Sequence, residues 1–106
     1  MLSSYRIMWM FALFDLPVQT KRERRDAARF RHHLQDLGFS MLQYSVYARP
    51  CNRESDARIM RSIESALPLA GRVAILMVTD RQYELMRVYR RGAGKQPEIP
   101  EQFTLF

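Results

Sequence analysis

Apolar positions along the chain change period several times, and each change predicts an element. Tyr5 to Phe14 is nearly continuous Ile, Met, Trp, Phe, Ala and Leu. Such a run, halted by Asp15-Leu16-Pro17, predicts a central strand covered on both faces. The period then becomes helical: Ala27, Phe30, Leu34 and Leu37 recur at steps of 3, 4 and 3 and make one buried stripe. Thr20-Lys21-Arg22-Glu23 has capping-box spacing, with Thr20 as N-cap and Glu23 reaching back. Gly38 is the residue type that most often follows a helix end, so the helix should run to Leu37.

Phe39 to Arg49 returns to strand character, with Leu42, Tyr44 and Val46 alternating with Gln43, Ser45 and Tyr47. One long bent strand and two short ones fit equally. Pro50 ends the segment. Asn52 or Ser55 can cap a second helix, with Ile59, Met60, Ile63, Ala66 and Leu67 inward and Pro68 stopping it. Gly71 leads into a second apolar strand, Val73 to Val78. Thr79-Asp80-Arg81-Gln82 suggests one helical turn, then a last short strand around Met86 to Tyr89. Residues 92–102 hold Gly, Pro, Lys and Glu and read as a linker or extended arm. They end on the apolar Phe103-Thr104-Leu105-Phe106.

This order predicts an α+β, ferredoxin-like βαββαβ sandwich with an additional C-terminal strand. Residues 1–91 would form the domain and 92–106 the linker with its terminal strand or arm. Strands that are apolar on both faces need a cover on the helix-free side, which predicts a homodimer. At 106 residues there is room for one domain only.

Charge adds a functional direction. The chain has 17 basic and 11 acidic residues, net +6, and 15 of the basic ones are Arg. Arg pairs with phosphate through a planar fork, so the bias suits nucleic acid. A GC-rich genome would produce the same bias without any such role. Cys51 is the only cysteine, which points to a reducing cytoplasm. Ile7 to Phe14 is far short of the roughly 20 apolar residues a membrane span needs. The start also lacks a small-residue signal cleavage pattern, so no membrane role is expected.

Hydrolytic constellations are scarce. His32 and His33 are adjacent, hence about 100° apart on a helix, and read as surface residues. Asp15 is the exception, because it follows a rigid buried strand and still reaches solvent. One carboxylate makes a poor Mg²⁺ site, whereas two brought together by a dimer axis would hold a hydrated ion. On spacing alone, an Asx-type turn before Pro17 is the simpler explanation of Asp15.

The basic residues are clustered. Lys21, Arg25 and Arg29 follow at steps of four, widened by Arg22, Arg24 and Arg31; residues 20–38 carry six basic and three acidic side chains. A second stretch holds Arg81, Arg87, Arg90, Arg91 and Lys95. Two cationic segments doubled by a dimer would follow a duplex backbone without reading bases.

Taken in order, Phe14-Asp15-Leu16-Pro17, Arg29-Phe30-Arg31, Gly38-Phe39, the segment Met41 to Arg49 with its Gln43-Tyr44-Ser45-Val46-Tyr47, and Val78-Thr79-Asp80-Arg81-Gln82-Tyr83 resemble CRISPR-associated protein 2, in the version found beside type II systems. The resemblance runs over the whole chain. It implies a homodimer that takes part in spacer acquisition, bridges the CRISPR integrase (CRISPR-associated protein 1) and supports duplex DNA. It also implies a Mg²⁺-dependent endonuclease acting on single-stranded RNA or on DNA, with Asp15 of each protomer as the catalytic, metal-holding residue. Arg22, Arg25, Arg29, Arg31, Arg49, Arg87 and Arg90 are the candidates for backbone contact. Phe103, Leu105 and Phe106 are expected to dock on the integrase or the other protomer, although a terminal segment after a Gly/Pro linker can equally stay unstructured. A toxin-type endoribonuclease or a regulatory partner-binding module of the same fold is the alternative.

Overall fold

The computed structural model describes residues 7–92. Its elements are β1 (Met8–Asp15), α1 (Lys21–Asp36), β2 (Ser40–Gln43), β3 (Val46–Cys51), α2 (Arg53–Ser65), β4 (Arg72–Thr79) and the short α3 (Asp80–Glu84). The strands form one sheet in the order β2-β3-β1-β4, with every neighbouring pair antiparallel. This is the α+β, ferredoxin-like arrangement that the order of hydrophobic runs predicts.

β1 is central because it is apolar at every position from Met8 to Phe14, and Trp9, Met10, Phe11 and Ala12 are all buried. Side chains alternate across a strand, so its two faces build two clusters. Met10, Ala12 and Phe14 meet Phe30 and Leu34 of α1 and Ile59 and Ile63 of α2. Phe14 is held there by an edge-to-face contact with Phe30 and by stacking on Tyr47, at centroid distances of 5.3 and 5.6 Å. Trp9 and Phe11 face the other way and pack with Ala48 and with Tyr83 of α3. Trp9 stacks on Tyr83 with centroids 3.8 Å apart, and its indole N–H donates to Asp80 at 3.0 Å.

The helix ends follow the sequence signals. Thr20 and Glu23 form the reciprocal capping box. At the other end Gly38 takes φ 95°, its amide bonds to Gln35 and the Phe39 amide to Leu34, the Schellman pattern. Asn52 caps α2 and Thr79 caps α3 in the same reciprocal way.

One choice that the hydrophobic pattern leaves open is decided, and three details differ from it. Phe39 to Arg49 is two strands, parted by Tyr44 and Ser45, because Ser45 adopts φ 64° and turns the chain. β4 is an edge strand, so Ala74 and Leu76 stand exposed on one face while Val73, Ile75 and Met77 pack under the helices. Leu67, expected inward, is 48% exposed because α2 ends at Ser65 and the chain leaves the core. The strand expected at Met86 to Tyr89 is a single bridge residue, Val88: Met86 packs against the Trp9 cluster while Tyr89 stands in solvent. Lys95 and the terminal Phe103, Leu105 and Phe106 lie outside the described residues. Among those that are described, no helix is long and apolar enough to cross a membrane.

Candidate functional site

Asp15 is the last residue of β1, and alternation places it on the face opposite α1 and α2, with Trp9, Phe11 and Leu13. Its position is fixed from three sides. Phe14, one residue before it, is buried under α1 and β3. The Phe14 amide bonds to the Ser45 carbonyl at 3.1 Å, tying the β2–β3 turn to this end of β1. On the other side Asp15 is in register with Arg72, the first residue of β4. Behind it, Gly71 at φ 101° packs against the Asp15 carbonyl and Leu16. The carboxylate itself is exposed, and among the described residues neither it nor the Arg72 guanidinium makes an ion pair. A rigid strand thus presents an uncommitted carboxylate to solvent.

Above Asp15 on the same face lie the rungs Leu13–Ala74, Phe11–Leu76 and Trp9–Val78. α3 covers the Trp9 end only. The face therefore runs from a covered aromatic end, through partly exposed apolar rungs, to the charged Asp15–Arg72 rung. At about 3.3 Å per residue, Asp15 stands some 20 Å from the α3 end of the strand.

Among the described residues, no three His, Cys, Asp or Glu side chains gather into a metal-binding group. One protomer offers a single hard oxygen donor at this position. Mg²⁺ keeps most of its waters and takes one or two carboxylates, so Asp15 fits it as one of a pair and fits a soft metal poorly.

The seven candidate arginines are dispersed. Arg22 and Arg25 are exposed on the first turns of α1, at the end of the sheet that carries Asp15. Arg29 is exposed and lies 3.8 Å from Asp26, and Arg31 is half-buried. Arg49 is committed elsewhere: its guanidinium donates to the Leu37 carbonyl, and its Nε to Pro50 at 2.8 Å. It closes the C-terminal end of α1. Arg87 and Arg90 are exposed and follow α3 in the chain. Arg24, from the same basic helix, ties down the entry loop by donating to the carbonyls of Val18 and Gln19 at 3.1 and 3.0 Å.

Two further residues, the first of them read as a surface residue in the sequence, are structural. His33 is half-buried and bridges the helices, with Nε2 3.0 Å from Ser62 Oγ and 3.2 Å from the Ser62 carbonyl; His32 remains exposed. Cys51 is a core residue whose thiol is pushed up by burial, with Asp56 adding to the effect. Conversely, Gly71 and Arg72 gain a place beside Asp15 that no local pattern gave them. The only available signal was that Gly71-Arg72 opens the strand that must pair with β1.

Residues 8–86 match the family model described as CRISPR associated protein Cas2. A Paracidovorax avenae protein named CRISPR-associated endoribonuclease Cas2 is 47% identical over 109 positions, covering 100% of each chain. A protein of that name from Parvibaculum lavamentivorans is 40% identical, over 93% of this chain and 100% of its own. One from Flavobacterium psychrophilum is 38% identical, over 91% and 82%.

Proposed function

The chain belongs to the CRISPR associated protein Cas2 family, and from that premise we propose that it is a homodimeric, Mg²⁺-dependent endonuclease of single-stranded RNA that uses Asp15 of both protomers. The observation that carries the reading is the uncommitted Asp15 carboxylate at the end of a buried strand, on a sheet face whose neighbouring apolar rungs are partly exposed. The endoribonuclease names of its relatives point the same way.

A second copy covers the part of this face that α3 leaves open, through Leu13, Ala74 and Leu76, and brings its own Asp15 to the same place. Mg²⁺, when bound, supplies positive charge at the phosphate and lowers the pKa of a water. The protein's part is positional. β1 holds Asp15, and Gly71 lets the β4 loop close behind it. Arg22 and Arg25 hold flanking phosphates from the near end of α1. Cleavage of a single-stranded RNA should require Mg²⁺, stop with EDTA, and be lost in Asp15→Asn with folding intact. Equal cleavage by Asp15→Asn would place the activity elsewhere.

A second reading rests on a different observation, the exposed Arg22 and Arg25, which no ion pair holds among the described residues. Here the homodimer is a scaffold in spacer acquisition that holds duplex DNA while the CRISPR integrase does the chemistry, in the cytoplasm where Cys51 stays reduced. Spacer integration in cells that persists with Asp15→Asn, and fails when Arg22 and Arg25 are both replaced by Ala, would support it. The two readings are compatible in one molecule.

A further inference from the structure

One rung on the Asp15 face of the sheet pairs two opposite charges. Asp15 and Arg72 are registered partners, and directly opposed residues of an antiparallel pair project to the same face. The other β1–β4 rungs of that face, Leu13–Ala74, Phe11–Leu76 and Trp9–Val78, are apolar. The direction of Arg72 is fixed by its neighbours in the chain. Val73 packs under the helices, so Arg72 points away from them. Gly71, pressed against the Asp15 carbonyl and Leu16, pins the backbone and adds no side chain of its own. β4 is an edge of the sheet, so no further strand flanks Arg72. Leu13 and Ala74, on the next rung, offer no side-chain acceptor. Arg72 is exposed, and among the described residues its guanidinium makes neither an ion pair nor a hydrogen bond, not even with Asp15.

A guanidinium one strand away from an exposed carboxylate, yet not bound to it, is open to an anion from outside. Exposed ion pairs are weak, so Asp15 does not hold Arg72 against a better partner. A phosphodiester is such a partner, because its two non-bridging oxygens match the guanidinium fork. We propose that Arg72 is the phosphate-binding residue of the Asp15 site, holding the non-bridging oxygens of the RNA linkage that lies beside Asp15. Strand spacing sets it about 5 Å from Asp15 along the backbone-pairing direction. Arg22 and Arg25, on α1, hold linkages further along the same RNA. Asp15 carries the same sign as the phosphate. With no cation at the site it opposes what Arg72 holds, so the effects of the two residues on binding are coupled. The inference deepens the nuclease reading and rests on it for RNA as the substrate class, but the phosphate contact forms whether or not Asp15 cleaves.

The test is equilibrium binding of a short single-stranded RNA by the full chain, without Mg²⁺ and at several salt concentrations. It compares the natural chain, Asp15→Asn, Arg72→Gln and the double variant. Arg72→Gln should lower the salt slope by about 0.7, the value for one contact on a single strand, and Arg72→Lys, which keeps the charge, should retain the slope. Removing the opposing charge by Asp15→Asn should tighten binding about threefold when Arg72 is present and hardly at all when it is replaced. Urea denaturation should find Arg72→Gln as stable as the natural chain, because the side chain is exposed and unpaired. Three results would each overturn the assignment: an unchanged salt slope in Arg72→Gln, an Asp15→Asn gain that is the same with and without Arg72, or a slope lowered on a blunt DNA duplex but not on the RNA. A loss of stability in Arg72→Gln with the slope unaltered would also overturn it, and would make Arg72 a structural counter-charge. Because no cleavage is read, a failed nuclease reading leaves these outcomes intact, and it is scored separately by the Asp15→Asn cleavage assay.

Discussion

Gly71 lies against the backbone of Asp15: a methyl group on its α-carbon would come within 2.7 Å of the Asp15 carbonyl oxygen and 2.8 Å of the Leu16 side chain. Its φ of 101° also lies where a β-carbon is unfavourable. Gly71→Ala should therefore cost about 1–3 kcal/mol in urea denaturation and displace Asp15 from its place. RNA cleavage should fall by more than the loss of folded protein accounts for. A variant with full stability and full activity would show that the close approach is irrelevant to the site.

The opposite end of the sheet has its own anchor, the Trp9 indole donating to Asp80. Trp9 is fully buried, so removing the acceptor leaves an expensive donor. Asp80→Ala should lose about 1–3 kcal/mol, while Asp80→Asn, which keeps an acceptor oxygen, should lose clearly less. Chemical denaturation of the two variants side by side gives the comparison.

Burial pushes the Tyr83 phenol from 10.0 up to about 12. The folded state thus holds this proton more tightly than the unfolded chain does. Its contribution to stability is complete below pH 10 and is lost as the pH rises from 10 to about 12. Tyr83→Phe should flatten the stability profile over that window. A profile of unchanged steepness would mean that other groups cause the alkaline loss.

The arginines divide by what they already hold. Arg22→Ala and Arg25→Ala should each reduce the salt dependence of nucleic-acid binding by about one ion, with stability little changed. Arg49→Ala should do the reverse. It frees the Leu37 carbonyl at the end of α1 and should cost about 1–3 kcal/mol, with the salt slope unaltered. Titrations at several salt concentrations, paired with denaturation curves, separate the two classes.

Much of this organisation was legible before the structure. The cap at Thr20, a second cap at Asn52 or Ser55, the helical turn from Thr79, the stop at Gly38 and the burial of β1 all follow from local chemistry, which acts within a few residues. Asp15 was legible for the same reason, since a strand that ends on a carboxylate advertises it. What depends on long-range register was not. Nothing near Arg72 says that it comes level with Asp15, because that follows from how β1 pairs with β4. The bond that holds the Arg49 guanidinium was hidden for a related reason. Its partner carbonyl, on Leu37, is twelve residues away and belongs to another element. The turn at Ser45 required a left-handed backbone at a non-glycine residue, which the alternation around it concealed.

The central claim is that two Asp15 carboxylates, one from each protomer, act together on RNA with Mg²⁺. Co-expression of the natural chain with Asp15→Asn in varied proportion tests it most directly, because mixed dimers then form in statistical amounts. If the site needs both carboxylates, Mg²⁺-dependent cleavage per dimer should fall as the square of the natural chain's fraction. A fall in simple proportion to that fraction would mean that each protomer acts alone, and would contradict the account.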